Sequence, residues 1–564
     1  MFFASEKNVH IIVSLIKQHD IKNVVVSPGT STIPFVLAVC EDAYFHVTSV
    51  VDERGAAFTA CGIAIATGKP VVLFVTGNVA SRDCAPALTE AFYSKLPILL
   101  VTQELDGEGY LYNNWPQVID NRMQFNDIAK LSVHLPEIRS ETDKWKNTLL
   151  VNRAIIELTK DGGGPTQIFF SRVSKQNSFV DDTDPQKISY VEDKGKLPRI
   201  TAKRTAIYIG RHQCFGDAEV AEIEKFCEAY NGIVFCDQTS NYYGKYRIQP
   251  ALLWSQRNHD ISGLKDFELM IHIGGITGSY IIPKPKEVWR VAPDGQIADG
   301  FQKLSYVVRS DEMKFFEYIN SKTPSQENKD AANSHDMEFY NAWDNALTEC
   351  RRKVTDIPFS NAWMAKETIP NIPIGSVVYL SILNTLRCWN LFETNPNVKF
   401  ISNTGAFGTD GSLSTTFGMS IADPERIHFC VVGDLSFFYD LNCIGNRDIP
   451  SNLRIMLVNN GMGTEFKNYG HEGHAFGDLM EPFVAAAGHF GNKSREYVRH
   501  MAEDLGFLYL CAEDKGTYRS AMRQFWTEKK TEQPILLEAF TNSGEESLAL
   551  ETLYNLYGME EDRI

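Results

Sequence analysis

Paired cysteines, long apolar runs and an excess of positive charge are all missing from this sequence, and each absence removes a class of function. The eleven cysteines, from Cys40 to Cys511, contain no C-x-x-C pair and are odd in number. Neither a disulfide framework nor a zinc site is suggested, and reduced thiols in the cytoplasm are the simpler expectation. No stretch is long and apolar enough to span a bilayer. The opening MFFASEKNVHIIVSLIKQHD has Glu6, Lys7 and His10 breaking its apolar run, so an amphipathic helix is expected there rather than a secretion signal. A net charge of -16 and a pI near 5.4 argue against broad attraction to nucleic acid or anionic lipid. Also missing is a G-x-G-x-x-G between a strand and a helix, which a dinucleotide-binding oxidoreductase would need. Solenoid-type repeats and low-complexity tracts are absent as well.

What is present is alternation. Across 564 residues, 43% of them apolar, the chain can bury several cores. NVVVSP, HVTSVV, VVLFVT, PILLVT and PTQIFFS read as strands separated by helical patterns, the signature of a parallel α/β sheet. A polar stretch from about Lys175 to Lys203 reads as a linker. TAIYIG, GIVFCDQ, ELMIHIGG, EVWRVAP and SYVVRS then form a second such unit, and a polar connector follows near residue 335. GSVVYLSI, VKFISN, HFCVVGD, RIMLVNN and PILLEAF form a third. The expected plan is three consecutive doubly wound α/β domains, over residues 1–185, 200–335 and 350–564.

One stretch carries chemistry. In VVGDLSFFYDLNCIGNRDIPSNLRIMLVNNGMGTEF, Gly433-Asp434 ends one strand and Asn459-Asn460 the next, with 26 residues from Asp434 to Asn460. The carboxyl edge of an open α/β sheet is where ligands bind. A carboxylate, an amide oxygen and a backbone carbonyl make a hard-oxygen set suited to magnesium. Gly433 lets the backbone approach phosphate, and a helix expected from about Ser436 would turn its positive end to an anion. Either piece alone is ordinary turn chemistry. In the first domain, Val51-Asp52-Glu53-Arg54-Gly55-Ala56 follows a strand and precedes a helix, where an acidic residue is favoured by the helix dipole alone.

Taken together, these motifs resemble those of the thiamine-diphosphate enzymes. The resemblance implies Asp434 and Asn460 as magnesium ligands, completed by the Met462 carbonyl. It also implies Glu53 as the glutamate that shares a proton with the cofactor's pyrimidine ring and so activates the thiazolium carbon. Cofactor contacts are implied at Thr385, Thr404, Gly405, Thr409, Gly433, Leu435, Ser436, Glu465 and Phe466, with Thr409 where an apolar wedge bends the cofactor. Because Glu53 and Asp434 lie in different domains, the family precedent is a cofactor bridging two subunits, hence a homodimer or homotetramer.

Over essentially the whole chain the resemblance is to the menaquinone-pathway synthase branch, which decarboxylates 2-oxoglutarate and adds the product to isochorismate. SPGTSTIP is similar to that branch's SPGSRSTP, DERGAAF to its DERG run, SNTGAFGTDGSLST to SNRGASGIDGLLST and GDLSFFYDLN to GDLSALYDLN. Gln117 falls where the branch places a glutamine beside the reacting centre. Several basic positions of the branch look empty, however. Ser31, Leu105, Trp389 and Thr404 each stand where an arginine is expected, and Ser279-Tyr280 replaces a Lys-Arg pair. None of these can offer the fork of a guanidinium to a carboxylate, which makes isochorismate a doubtful acceptor. Arg82 and Arg122 are candidate replacements for contacting substrate, with Ser31 and Trp389 lining the altered site. GTEFKNYGHEGHAFGD has the composition of a mobile loop, in which His471 or His474 could act as acid or base. HEGH lacks zinc spacing. In the middle domain, IHIGGITGSY has the outline of a phosphate-friendly turn but reads better as a vestigial packing unit.

The sequence thus points to a thiamine-diphosphate- and magnesium-dependent transferase or lyase that decarboxylates a 2-oxo acid and passes the product unit to an acceptor other than isochorismate. A simple 2-oxo-acid decarboxylase, the authentic menaquinone synthase and a catalytically silent cofactor-binding homologue are the alternatives.

Overall fold

The computed structural model describes residues 7–77, 79–104, 125–171, 189–192, 197–279, 281, 283–296, 298–301, 303–322, 337–488 and 493–558. Its first sheet contains β1 (Asn23–Val26), β2 (His46–Ser49), β3 (Val71–Thr76), β4 (Ile98–Glu104), β5 (Leu131–Leu135) and β6 (Thr166–Ser171), in spatial order β2-β1-β3-β4-β6-β5. Every pairing in it is parallel. The central strands are buried on both faces: Val71 to Val75 and Ile98 to Gln103 are all solvent-excluded. That is why they read as continuous apolar runs rather than alternating ones. β5, an edge strand reading LSVHL, was not anticipated from the sequence because its apolar pattern is interrupted.

A seven-stranded parallel sheet follows, made of β7 (Ser189–Val191), β8 (Thr205–Ile209), β9 (Gly232–Cys236), β10 (Arg247–Ile248), β11 (Leu269–Ile273), β12 (Glu287–Ala292) and β13 (Leu304–Arg309). Here the expected linker needs correction. Its Ser189–Val191 segment is a strand that pairs with β13 and closes the edge of the middle sheet. The turn after β11 is filled by the protein itself: the Gly274 N–H donates to the Glu312 carboxylate at 2.9 Å, so a carboxylate already occupies the place an anion would take.

The third sheet contains β14 (Val377–Leu380), β15 (Lys399–Ile401), β16 (His428–Gly433), β17 (Leu453–Asn459), β18 (Leu508–Ala512) and β19 (Ile535–Phe540), in the order β15-β14-β16-β17-β19-β18. Strand for strand this repeats the order of the first sheet. Both sheets therefore have a switch point between their first and third strands, β1/β3 and β14/β16, where the chain leaves in opposite directions and a crevice opens at the carboxyl edge. The three domains form one packed body. Phe466, Met480, Val484 and Ala485, from the segment after β17, join the first domain's apolar core beside Ile33, Phe74 and Val101. Residues of the middle and third sheets, among them Phe235, Trp343, Val378 and Met456, share another core. Each such side chain removed from water contributes about 1.5–3 kcal/mol, which holds the two switch points in register.

Candidate active site

The two crevices open onto connected cavities. One, of about 110 Å³, is lined by Glu53, Ser381–Thr385, Gly433–Ser436, Asn460, Met462 and Thr464. The other, of about 310 Å³, is lined by residues at the carboxyl ends of β1, β3 and β4 and by Leu383, Arg387, Thr409, Asp410, Glu465 and His471. Glu53, Leu383, Thr409, Glu465 and Phe466 border both. Residues of the first and third domains of one chain line these cavities, whereas the family precedent places the two halves on different subunits. Close approach is built in at Gly29, where a Cβ would lie 2.2 Å from the Thr76 side chain, so only glycine lets the β1 turn sit against the end of β3.

Asp434 is buried at the end of β16. Its carboxylate accepts from the N–H groups of Leu435 at 2.8 Å and Gly461 at 2.5 Å. Burial nevertheless raises its pKa to about 7, only partly offset by those N–H groups. A carboxyl in that state is poised to exchange its proton for a cation. The helix after β16 spans Asp434–Tyr439, two residues earlier than expected, so Asp434 is its first residue rather than part of a turn before it. Of the Asn459-Asn460 pair, Asn459 is buried and donates to Glu538 at 2.7 Å, which makes it structural. Asn460 lines the cavity, its side-chain oxygen reaching only the Met462 N–H at 3.4 Å. The buried Thr464 hydroxyl, bordering the same cavity, has no partner. One carboxylate, one amide oxygen and a backbone carbonyl together fit a hard cation that keeps phosphate oxygens and water as its other ligands. Among the described residues, no cluster of three His, Cys, Asp or Glu side chains offers a competing metal site.

Glu53 is the first residue of the helix Glu53–Thr67, which Asp52 caps through the Arg54 N–H at 2.9 Å. Its helical position is the ordinary one for an acid, but its side chain reaches across to the third domain. The Tyr439 hydroxyl donates to Glu53 Oε2 at 2.8 Å and lies 3.3 Å from Asp83 Oδ2. Removal from water pushes the Glu53 pKa up to about 8, against the opposing hydrogen bond from Tyr439. Asp83 is raised to about 6, by burial first and then by the neighbouring Asp410. One hydroxyl proton between two carboxyls can satisfy only one of them, so the cluster holds at least one further proton at neutral pH.

Other candidates fall on both sides of the line. Thr385, Leu435, Ser436, Met462 and Phe466 line the smaller cavity, and Ser31 and His471 the larger. The Ser31 hydroxyl is buried with no partner. Thr404 is buried and donates to the Ile276 carbonyl at 2.6 Å, which ties the third domain to the middle one and does not reach a cavity. Gly405 is exposed and outside both cavities. Trp389 is wholly buried in the apolar core, its indole N–H on Asn361 at 3.1 Å, because the helix Asn384–Asn390 turns that position inward. Arg82 points to solvent on the short helix Val79–Asp83, and its neighbour Asp83 takes the place in the cavity. The glycine-rich segment after β17 forms two short 3-10 helices, Thr464–Lys467 and Glu472–Met480. His471 ends up in the site, while His474 is exposed with Nδ1 on the Lys467 carbonyl. Gln117, Arg122, Leu105 and Tyr280 lie outside the described residues.

Several site residues gave no sequence signal. Tyr439, Asp83, Gln103 and Arg387 come together only through the fold. Leu383 adopts φ 64°, ψ -125° and Phe407 φ 56°, conformations unusual for bulky side chains, and both border the cavities. Backbone held in sparsely populated regions concentrates at functional sites. Arg387 pairs with Glu465 at 2.6 Å, both largely buried, on the floor of the larger cavity.

Residues 7–123 match the family model described as the thiamine pyrophosphate enzyme N-terminal TPP binding domain. Across 98% of its length the chain is 27% identical to a 2-succinyl-5-enolpyruvyl-6-hydroxy-3-cyclohexene-1-carboxylate synthase of Bacteroides fragilis, covering 99% of that protein. A protein of the same name from Phocaeicola vulgatus is also 27% identical, with 98% and 99% covered. One from Flavobacterium johnsoniae is 25% identical, with 96% and 97% covered. These findings bear out the resemblance drawn from the motifs, and the Glu53 side of the site lies within the matched domain.

Proposed function

We propose that the chain, whose residues 7–123 match the thiamine pyrophosphate enzyme N-terminal TPP binding domain, decarboxylates a 2-oxo acid and joins the remaining unit to an acceptor through a new carbon–carbon bond. The observation that carries this reading is the convergence of Glu53 and the Asp434–Asn460 pair on connected cavities. Thiamine diphosphate, when bound, supplies a carbon nucleophile that also stores the electron pair released with carbon dioxide. Asp434, Asn460 and the Met462 carbonyl hold magnesium in this reading. Glu53 keeps its proton near neutral pH and offers it to a ring nitrogen, while Tyr439 fixes the carboxyl from the other side. Leu383 and Thr409, between the cavities, shape the cofactor, and Phe466 closes it off from the solvent beyond His471. The contribution of Gln117 beside the reacting centre, and of Arg122 toward substrate, rests on the resemblance alone.

An altered acceptor is supported by the charge around the larger cavity. Among the described residues, Asp83, Glu104, Asp410 and Glu465 border it, beside a protonated Glu53, against Arg387, which is already paired. His471 is held neutral by burial and adds no charge. Such a lining repels a second carboxylate next to the reacting atoms. The authentic synthase reaction is the second reading, favoured by the likeness over nearly the whole chain to proteins of that name. We further propose a cytoplasmic homo-oligomer. Phe58 and Ile65 are exposed on the helix after β2, and Ile421 is exposed on the equivalent helix after β15, apolar side chains that self-association would cover.

The test is carbon dioxide release across a panel of 2-oxo acids with thiamine diphosphate and magnesium, 2-oxoglutarate with and without isochorismate included, beside Glu53→Gln. Release lost in the variant supports the proposal. Formation of the isochorismate adduct restores the second reading. Bound cofactor with no release from any acid marks a silent homologue.

A further inference from the structure

A third cavity, of about 300 Å³, lies behind Arg387 between the middle and third domains. Trp254, Arg257, Ser279, Asn390 and Tyr469 are among the residues that line it, and Arg387 borders both this cavity and the larger reaction cavity. Its electrostatics are the reverse of its neighbour's: no described residue in its lining is acidic. The Arg257 guanidinium is stacked 4.3 Å over the Tyr469 ring. No ion pair is formed by it among the described residues. A cation on an aromatic face keeps its in-plane N–H donors directed outward, toward whatever enters.

Gly470 has φ +83°, a conformation strained for other residues, and it leaves room for the exposed Arg257 guanidinium to lie against the turn. The Arg257 backbone is pinned to the Tyr554 carbonyl at 3.1 Å. Ser279, which stands where a basic pair was expected from sequence, contributes a neutral hydroxyl to the same wall.

We infer that the cavity between Arg257 and Arg387 is an oxyanion subsite, which receives a phosphate or carboxylate group of the acceptor while its reacting end lies in the acid-lined cavity beyond Arg387. This rests on the proposed carboligation for the identity of the ligand as acceptor. The anion is recognised at a distance from the reacting atoms by Arg257, with Arg387, held by Glu465, on the opposite wall, so the function of the missing arginines around Ser31, Trp389 and Thr404 is met from other positions.

Calorimetric titration of the full chain, saturated with thiamine diphosphate and magnesium so that the diphosphate cradle cannot take the probe, tests this with inorganic phosphate and with succinate as separate arms. The expected result is one-to-one binding of at least one probe, weakened about tenfold or more in Arg257→Gln and by added salt, and partly restored in Arg257→Lys. The stronger arm tells phosphate from carboxylate. Binding of neither probe, or equal binding in Arg257→Gln, overturns the subsite. Carbon dioxide release by the unaltered protein is scored separately: release without anion binding removes the subsite and keeps the reaction, and anion binding without release does the opposite.

Discussion

Replacing Glu53 by glutamine should stabilise the cofactor-free protein, and increasingly so as pH rises. Folding lifts this carboxyl from an ordinary value of 4.5 to about 8 through burial. The folded state therefore binds a proton that the unfolded state has released throughout that interval. The sign follows directly: the stability associated with the bound proton is fully present below about pH 4.5 and is lost as pH rises through about 8. At 1.36 kcal/mol per pKa unit the upper bound at alkaline pH is roughly 5 kcal/mol. Because Glu53 faces a cavity that water can enter, a discounted figure of about 1–3 kcal/mol is the working expectation. Glutamine has the shape of the protonated acid and cannot ionise.

Thermal unfolding of the two proteins without cofactor, from pH 5 to pH 9, checks this. The difference in midpoint should be near zero at pH 5 and should grow to a few degrees in favour of the variant above pH 8. Asp434 and Glu546 also have raised pKa values and titrate in the same range, but they do so in both proteins and cancel in the difference. A pH-independent difference, or a variant less stable than the parent at pH 9, would refute the picture of a carboxyl held protonated by burial. The same variant loses carbon dioxide release, so stability and activity move in opposite directions.

Removing the Tyr439 hydroxyl with Tyr439→Phe should move the alkaline limb of the pH–rate profile upward, since Glu53 acts protonated and the hydrogen bond that lowers its pKa disappears, and unchanged limbs would discount the Tyr439 contact. Asn460→Ala should weaken magnesium-dependent cofactor binding by about tenfold or more in a magnesium titration. Asn459→Ala should instead lower the urea midpoint, leaving Glu538 with one donor fewer. Trp389→Ala should cost about 3–5 kcal/mol in denaturant unfolding, as expected for a wholly buried indole. A change in acceptor preference without that loss would put Trp389 back at the substrate.

The central strands were legible because parallel strands buried on both faces must be continuously apolar, and VVLFVT or HFCVVG can hardly be anything else. Edge strands such as β5, and β7 inside a polar stretch, are short and half-solvated and leave no such mark. Asp434, Asn460 and Glu53 were legible because each belongs to a short local motif. By contrast, Tyr439 and Asp83 matter only through contacts more than 350 residues apart in sequence, which no spacing rule encodes. Trp389 and Thr404 show the opposite case. Their positions suggested contact with substrate and cofactor respectively, but the local turn of the chain buries both.

That case bears on the reading of charge. A position-by-position comparison finds arginines missing and concludes that an anion can no longer be held. The fold places Arg387 only two residues before Trp389, on the side of the helix that faces the cavities, and brings Arg257 from the middle domain to the far side of it. Cations can thus serve one ligand from unrelated places in the chain, because a guanidinium needs only reach and a rigid backing, here supplied by Tyr469 and Gly470. The acid-lined reaction cavity and the basic cavity behind it then describe one elongated acceptor, neutral where the bond forms and anionic at its tail. A double variant, Arg257→Gln with Arg387→Gln, should raise the acceptor KM far more than it lowers carbon dioxide release from the donor. Equal losses in both would place the arginines with the 2-oxo acid and reverse the assignment of the two cavities.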